Sequence, residues 1–290
     1  MTMNNRLFCF GLGYTGSALA TAVVAAGWGV AGSCREPEAR RRLAARGFEV
    51  ALFDRQTPLA AERLEGCTHI LVSVPPDAEG DAVCDALGEA IAGLEGLAWL
   101  GYLSTTGVYG DRRGGWVDEG SRRRPTGERS LWRRNAEDAW LGLWRRHGVP
   151  VHIFRLAGIY GPGRSQLDNA AQARRLDKPG QVFSRIHVDD IVTVLQASIA
   201  QPRPGRVYNV CDDEAAPPQD VVAFACELLG LSVPPLVPFA TADLSPMARS
   251  FYADNKRVRN GRIKQELGVE LKYPNYRAGL RAILDTSPRR

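Results

Sequence analysis

Gly11-Leu12-Gly13-Tyr14-Thr15-Gly16 stands between an apolar run, Leu7 to Phe10, and a small-residue segment, Ser17 to Ala26, that reads as a helix. This is a glycine turn in a strand–turn–helix setting. The first glycine permits the tight turn, the second lets backbone N–H groups approach a diphosphate, and the third lets the helix pack closely on its strand. Dinucleotide phosphates then sit on the positive end of that helix, with Tyr14 and Thr15 inside the turn that receives them.

Outward from this turn the chain alternates. Val30 to Ser33 reads as strand two, Glu38 to Arg46 as a helix, Phe48 to Phe53 as strand three and His69 to Val74 as strand four. Asp77 to Leu94 follows as a helix, Leu97 to Leu103 as strand five, Thr126 to His147 as a long helix and Val151 to Arg155 as strand six. Strands and helices at this spacing argue for right-handed βαβ units and a doubly wound α/β parallel sheet covered on both faces. Beyond Gly161 frequent prolines shorten the elements, with helices expected at Asp189 to Ala200, capped by Asp189 or Asp190, and at Gln219 to Leu229. The expected organisation is a dinucleotide-binding domain over 1–162 plus about 183–211, and a smaller C-terminal substrate-binding lid over about 163–182 plus 212–290.

Composition excludes several classes. From Leu7 to Cys34 no residue is charged, but six glycines interrupt the run and no small-residue cleavage site follows a compact apolar core, so neither a membrane span nor a signal peptide is expected. A cytoplasmic protein is. The six cysteines form no CxxC pair and read as reduced, mostly buried thiols. Four histidines with no HExxH pattern or Cys/His cluster give no support to a metal site. The net charge of +5 comes from arginine, densest from Arg112 to Arg134, yet acidic residues interleave and no nucleic-acid-binding module is visible. That face reads as solvated, or as a pocket for a phosphorylated small molecule, with no nucleic-acid partner.

An NAD site places an acid at the end of strand two to receive the ribose hydroxyls, whereas an arginine there suits a 2′-phosphate. Here that end reads Gly32-Ser33-Cys34-Arg35-Glu36. Arg35 offers a planar fork and Ser33 a neutral donor, so NADP is favoured, with NAD kept open by Glu36.

Further stretches carry a resemblance. Leu103-Ser104-Thr105-Thr106-Gly107-Val108-Tyr109-Gly110, Phe154-Arg155-Leu156-Ala157-Gly158-Ile159-Tyr160-Gly161-Pro162-Gly163, His187-Val188-Asp189-Asp190 and Val207-Tyr208-Asn209-Val210 follow one another in the order of the motifs of the extended short-chain dehydrogenases/reductases, the NAD-dependent epimerase/dehydratase family. The tail from Asn260 to Gly268 also fits, so the resemblance covers nearly the whole chain and implies a Rossmann fold. It further implies that Thr105 hydrogen-bonds the reacting oxygen, that Asp54 accepts from adenine, and that Val74 and Pro75 pass along the adenosine ribose. Ser104, Ala157 and Gly158 would line the cofactor, and Thr106, Tyr160, Arg164 and His187 the substrate, although His187 reads better as a satisfied structural histidine. Family members often dimerise through a four-helix contact, which makes a homodimer an option here.

One departure is chemical. The family's Tyr-x-x-x-Lys, aligned on Glu137, falls on Arg129 and Arg133. A phenol near pKa 10 can be tuned to pass a proton, while a guanidinium stays charged and cannot serve as the base. At i and i+4 the two arginines share a helix face, where they either hold cofactor or anionic substrate or form basic surface. Tyr109 and Tyr160 are the alternative phenols. The resemblance therefore implies an NAD(P)-dependent oxidoreductase or epimerase/dehydratase-like protein with a degenerate catalytic pair, acting on a sugar-nucleotide, phosphate-bearing or small carbonyl substrate. The alternative is a catalytically silent NADP(H)-binding regulatory or sensor protein.

Overall fold

The structure, a computed structural model, describes residues 5–286. In chain order the elements are β1 (Arg6–Phe10), α1 (Tyr14–Ala25), β2 (Gly29–Cys34), α2 (Pro37–Ala44), β3 (Glu49–Leu52), β4 (His69–Val72), α3 (Ala82–Ala92), β5 (Trp99–Thr105), β6 (Trp116–Val117), α4 (Glu128–His147), β7 (Val151–Leu156), β8 (Gly158–Tyr160), β9 (Arg175–Asp177), β10 (Arg185–His187), α5 (Val188–Ala200), β11 (Val207–Val210), α6 (Pro218–Leu228), β12 (Leu236–Pro238), α7 (Pro246–Phe251), β13 (Arg257–Val258), α8 (Gly261–Leu267) and α9 (Tyr276–Thr286). Seven strands form one sheet in the order β11-β7-β5-β4-β1-β2-β3. Within it β1 lies between β2 and β4, parallel to both, with Leu7 opposite Val30 on one side and His69 on the other. This is the doubly wound Rossmann sheet expected from the alternation of strands and helices. Chain order reverses at β1, and in such sheets ligands collect outside the carboxyl ends of the strands at that reversal.

The sheet forms because its central strands are apolar on both faces: β4 is buried throughout, and so is β7, although β7 carries His152 and Arg155. The chain divides into two compact units. One comprises residues 5–105, 127–155 and 194–208, with a core built on Phe8, Phe10, Ile70, Val72, Leu100, Tyr102, Trp140 and Leu143. The other comprises 106–126, 156–193 and 209–286, and packs Tyr160, Val221, Val222, Ala225, Tyr276 and Leu280 into a core of its own. Its strands are short, in keeping with the proline spacing.

Two helix starts differ from the sequence reading. α3 begins at Ala82 rather than Asp77, because Asp81 is the residue whose carboxylate accepts from the N–H groups of Val83 and Cys84, at 3.1 and 3.0 Å. Asp77 instead folds residues 77–80 into a turn, accepting from the N–H groups of Glu79 and Gly80. α5 begins at Val188, so Asp189 and Asp190 lie inside its first turn and do not cap it from outside. The Asp190 carboxylate accepts from the backbone of Lys272 and Tyr273, at 2.7 and 3.0 Å, and so ties the strandless segment before α9 to the helix. Among the described residues no helix is long and apolar enough to cross a membrane, and no cluster of three His, Cys, Asp or Glu residues is placed to hold a metal.

Candidate functional site

The glycine turn is held from two sides. Gly11 sits at φ +87°, a conformation that strains any residue with a Cβ. Its N–H donates to Ser33 Oγ (3.2 Å), its carbonyl accepts from Ser73 Oγ (3.1 Å), and the Leu12 N–H donates to the Ser33 carbonyl (2.8 Å). A Cβ on Gly16 would lie 2.4 Å from the Gly11 carbonyl oxygen, so the third glycine is demanded by helix-to-strand contact. Gly13 differs from both. Its φ of −80° suits any residue, and a Cβ there would meet nothing within 4 Å. Nothing in the fold requires glycine at this position; what a side chain would fill is the space in front of the N-terminus of α1. That end has no side-chain cap and no acidic residue in its first turn, so the positive end of the helix dipole faces an approaching anion with no carboxylate competing for it.

At the neighbouring strand ends the structure redistributes the expected roles. Ser33 is buried at 1% exposure and serves the turn from beneath. Arg35 is exposed just past β2, while Cys34 before it is half-buried. Asp54 spends one carboxylate oxygen on the N–H groups of Gln56 and Thr57, at 2.9 and 2.7 Å, shaping the loop after β3. Val74 is half-buried, Pro75 exposed and Pro76 buried. Arg55, which the sequence reading passed over, donates twice to Asp77 (2.8 and 2.9 Å) and once to Asp85 (3.0 Å), joining the loop after β3 to the turn before α3. The guanidinium holds the Asp77 carboxyl below the usual carboxylate range.

Thr105 is half-buried at the end of β5. Its neighbour Ser104, expected at the cofactor, donates its hydroxyl to Glu137 at 2.5 Å. Glu137, fully buried on α4, also accepts from Arg155 of β7 through Nε (2.9 Å) and Nη2 (2.7 Å). A bidentate ion pair thus joins α4 to β7, and the Ser104 hydroxyl adds β5 to it one residue before Thr105. One turn earlier on α4, Arg133 donates from Nη1 to the Leu103 carbonyl (2.8 Å) and the Tyr102 hydroxyl (3.1 Å), with its guanidinium 5.5 Å from the Tyr102 ring centre. Arg133 is therefore a fixed cation anchored two residues from Thr105 along the strand. Arg129, a further turn back, is exposed.

The remaining expected residues lie in the second unit. Thr106 is half-buried, Ala157 buried, and Gly158 and Arg164 exposed. Tyr160 is buried with its hydroxyl 3.4 Å from the Asn275 carbonyl, and His187 packs edge-on against it at 5.2 Å. Tyr109, weighed as an alternative phenol, is fully buried and donates to Asn209 at 2.7 Å, which makes it a structural group.

No family model matches the chain. The structure of a functionally unknown conserved protein from Silicibacter pomeroyi DSS superposes with a TM-score of 0.91 at 53% identity, over 97% of this chain and 99% of that one. Protein YeeZ of Escherichia coli (strain K12) is 27% identical over 282 residues, 91% of this chain and 95% of its own length. UDP-glucuronic acid 4-epimerase from Bacillus cereus, in complex with UDP-glucuronic acid and NAD, superposes with a TM-score of 0.79 at 16% identity over 97% of this chain and 98% of that one, a likeness of fold. The resemblance drawn from the motifs is borne out at this level.

Proposed function

From the premise that this chain belongs to one family with the conserved Silicibacter pomeroyi protein and carries the extended short-chain dehydrogenase/reductase fold, we propose that it binds a nicotinamide dinucleotide at the glycine turn and acts on a carbonyl or sugar-nucleotide substrate. The observation that carries this reading is Gly13: open space before an uncapped, acid-free helix end, next to two glycines whose roles are steric. Gly11 to Gly16 hold the diphosphate and Thr15 lies against it. Arg35, exposed at the end of β2, meets the 2′-phosphate of NADP, which makes NADP the preferred form over NAD. The first unit carries the cofactor and the second the substrate.

The nicotinamide supplies or accepts the hydride when bound. Everything else falls to the chain. Thr105 holds the reacting oxygen by a hydrogen bond, and Arg133 stabilises negative charge beside it from a position fixed by Leu103 and Tyr102. Arg129, exposed on the same helix face, orients an anionic part of the substrate. Neither guanidinium passes a proton, so the proton moves through water or a substrate hydroxyl. That same feature favours a second reading, a silent NADP(H)-responsive sensor.

Titration with NADPH, NADP, NADH and NAD is expected to give saturable binding at micromolar to millimolar concentrations, tightest for the phosphorylated forms; no saturation with any of the four would defeat the proposal. Arg35→Ala is expected to remove the preference for the 2′-phosphate. The two readings separate on a double substitution: Arg129→Tyr with Arg133→Lys raises turnover of aldehydes or sugar nucleotides in an enzyme scaffold, and Thr105→Ala abolishes it, whereas a sensor shows no turnover in any form.

A further inference from the structure

In the first unit, one guanidinium is held flat by carboxylates and reaches solvent. Arg55 donates from Nε to Asp77 Oδ2 at 2.8 Å and from Nη2 to Asp77 Oδ1 at 2.9 Å, the two parallel bonds of a fork that sets guanidinium and carboxylate in one plane. Nη2 also donates to Asp85 at 3.0 Å, and the Glu79 carboxylate stands 3.8 Å from Nε. The acids are themselves fixed. Asp77 and Gly80 exchange backbone hydrogen bonds (2.9 and 3.3 Å), and the Asp85 carboxylate lies so close to Gly80 that a Cβ there would meet it at 2.8 Å. No aromatic ring among the described residues pairs with Arg55. Side-chain exposures of 23% for Arg55, 50% for Asp77 and 46% for Asp85 leave the cluster open to a ligand.

Its place follows from the strand order. β3, β2, β1 and β4 run parallel and side by side, so all four end on one edge of the sheet. Pairing continues up to that edge, where the Phe53 N–H donates to the Cys34 carbonyl and the Ser73 N–H to the Phe10 carbonyl. Arg55 stands three residues past Leu52, the last of β3, and Asp77 five past Val72, the last of β4, with β2 and β1 between those strands. Their link thus bridges the edge that carries the glycine turn. On the reading above, the diphosphate lies at that turn and the adenosine ribose at the end of β2 beside Arg35. A base carried onward from this ribose, away from β1, comes to the end of β3, the next strand about 5 Å along.

The two arginines at this edge have different partners and so suit different groups. Arg35 is exposed and makes no hydrogen bond or ion pair among the described residues, which leaves its edge for a phosphate. Around Arg55 three carboxylates outnumber the single cation and take up Nε and Nη2, so a phosphate would meet net negative charge and find only Nη1. A flat, uncharged ring has no such conflict, because it meets the delocalised face of the guanidinium and not its edge. We propose that the Arg55–Asp77 pair is the platform on which the adenine ring of the dinucleotide stacks, a specificity-determining contact that rests on the reading above. Arg55 touches the base; Asp77 and Asp85 are positioning residues that hold its plane.

The full chain is titrated calorimetrically with NADPH, with AMP and with ribose 5-phosphate, the last two differing only in the base. The unaltered chain is expected to bind AMP roughly tenfold or more tighter than ribose 5-phosphate, the scale of one stacked base. Arg55→Lys keeps the charge and loses the plane, so it is expected to weaken AMP by roughly tenfold and ribose 5-phosphate by less than about twofold. A latch that only ties the two loops together would weaken both ligands alike. Equal losses, or an AMP preference that survives Arg55→Lys, therefore overturn the platform. In case Arg55→Lys does not fold, the Arg55 Nε–H resonance of the unaltered chain supplies a second readout: it shifts on addition of AMP and not of ribose 5-phosphate, and an unmoved resonance overturns the contact. NADPH keeps the two proposals apart: saturable NADPH binding without a preference for AMP sinks the platform alone, whereas an unaltered chain that takes up no NADPH sinks the dinucleotide reading and the platform with it.

Discussion

Replacing Glu137 with alanine is expected to lower stability by roughly 3–5 kcal/mol, the range for breaking a buried ion pair from one side. The side chain is fully buried, receives two hydrogen bonds from Arg155 and a third from Ser104, and draws those donors from two different strands onto α4. Alanine strips the bidentate carboxylate from an arginine that is itself only 4% exposed, and the loss includes the cost of that buried charge as well as the contacts. Chemical denaturation with an unchanged slope measures it. A loss under about 1 kcal/mol would show the pair to be marginal to the fold. Combining Glu137→Met with Arg155→Leu is expected to cost far less than the sum of the two single changes, because no unpaired charge remains. Since Ser104 precedes Thr105, the single Glu137 variant is also expected to weaken whatever Thr105 holds, while the Arg133 contacts to Leu103 and Tyr102 persist.

Gly13→Asp is expected to move binding and stability in opposite directions. Position 13 is the N-cap of α1, its φ of −80° accepts a side chain, and no atom lies within 4 Å of the added Cβ. Aspartate is among the best N-cap residues and glycine only modestly worse, so stability is expected to hold or rise by roughly a few tenths of a kcal/mol. The same carboxylate takes the N–H groups meant for the diphosphate and places a negative charge where phosphates must come. A loss of at least a hundredfold in NADPH affinity, about 2.7 kcal/mol, is the expected result. Gly16→Ala serves as the contrast: a Cβ 2.4 Å from the Gly11 carbonyl forces the backbone to shift and is expected to destabilise by about 1–3 kcal/mol. Thermal unfolding run beside titration reads both effects. If Gly13→Asp binds NADPH as the parent does, the diphosphate does not lie at this turn.

The two glycine variants also show what the sequence carries. Spacing alone sets Gly11, Gly13 and Gly16 in a strand–turn–helix, but the same letter does three jobs: conformation at 11, open space at 13 and contact at 16. Only the partners reveal which is which. The same holds for the serines. Ser33 and Ser104 both stand at strand ends where the resemblance implies a cofactor, and both hydroxyls go to the protein, one to Gly11 and one to Glu137. Arg55 and Ser73 gave no local signal because their partners are twenty or more residues away.

By itself the sequence determined the parallel sheet, the glycine turn at its point of reversal and the arginines at 129 and 133, where the resemblance implies a tyrosine and a lysine. These follow from hydrophobic period, from glycine's freedom and from residue identity, all local quantities. Tertiary structure alone decided which polar groups hold the scaffold and which are left to bind. A hydrogen bond is allocated by whatever the long-range packing brings within 3 Å, and until the strands are paired that allocation does not exist.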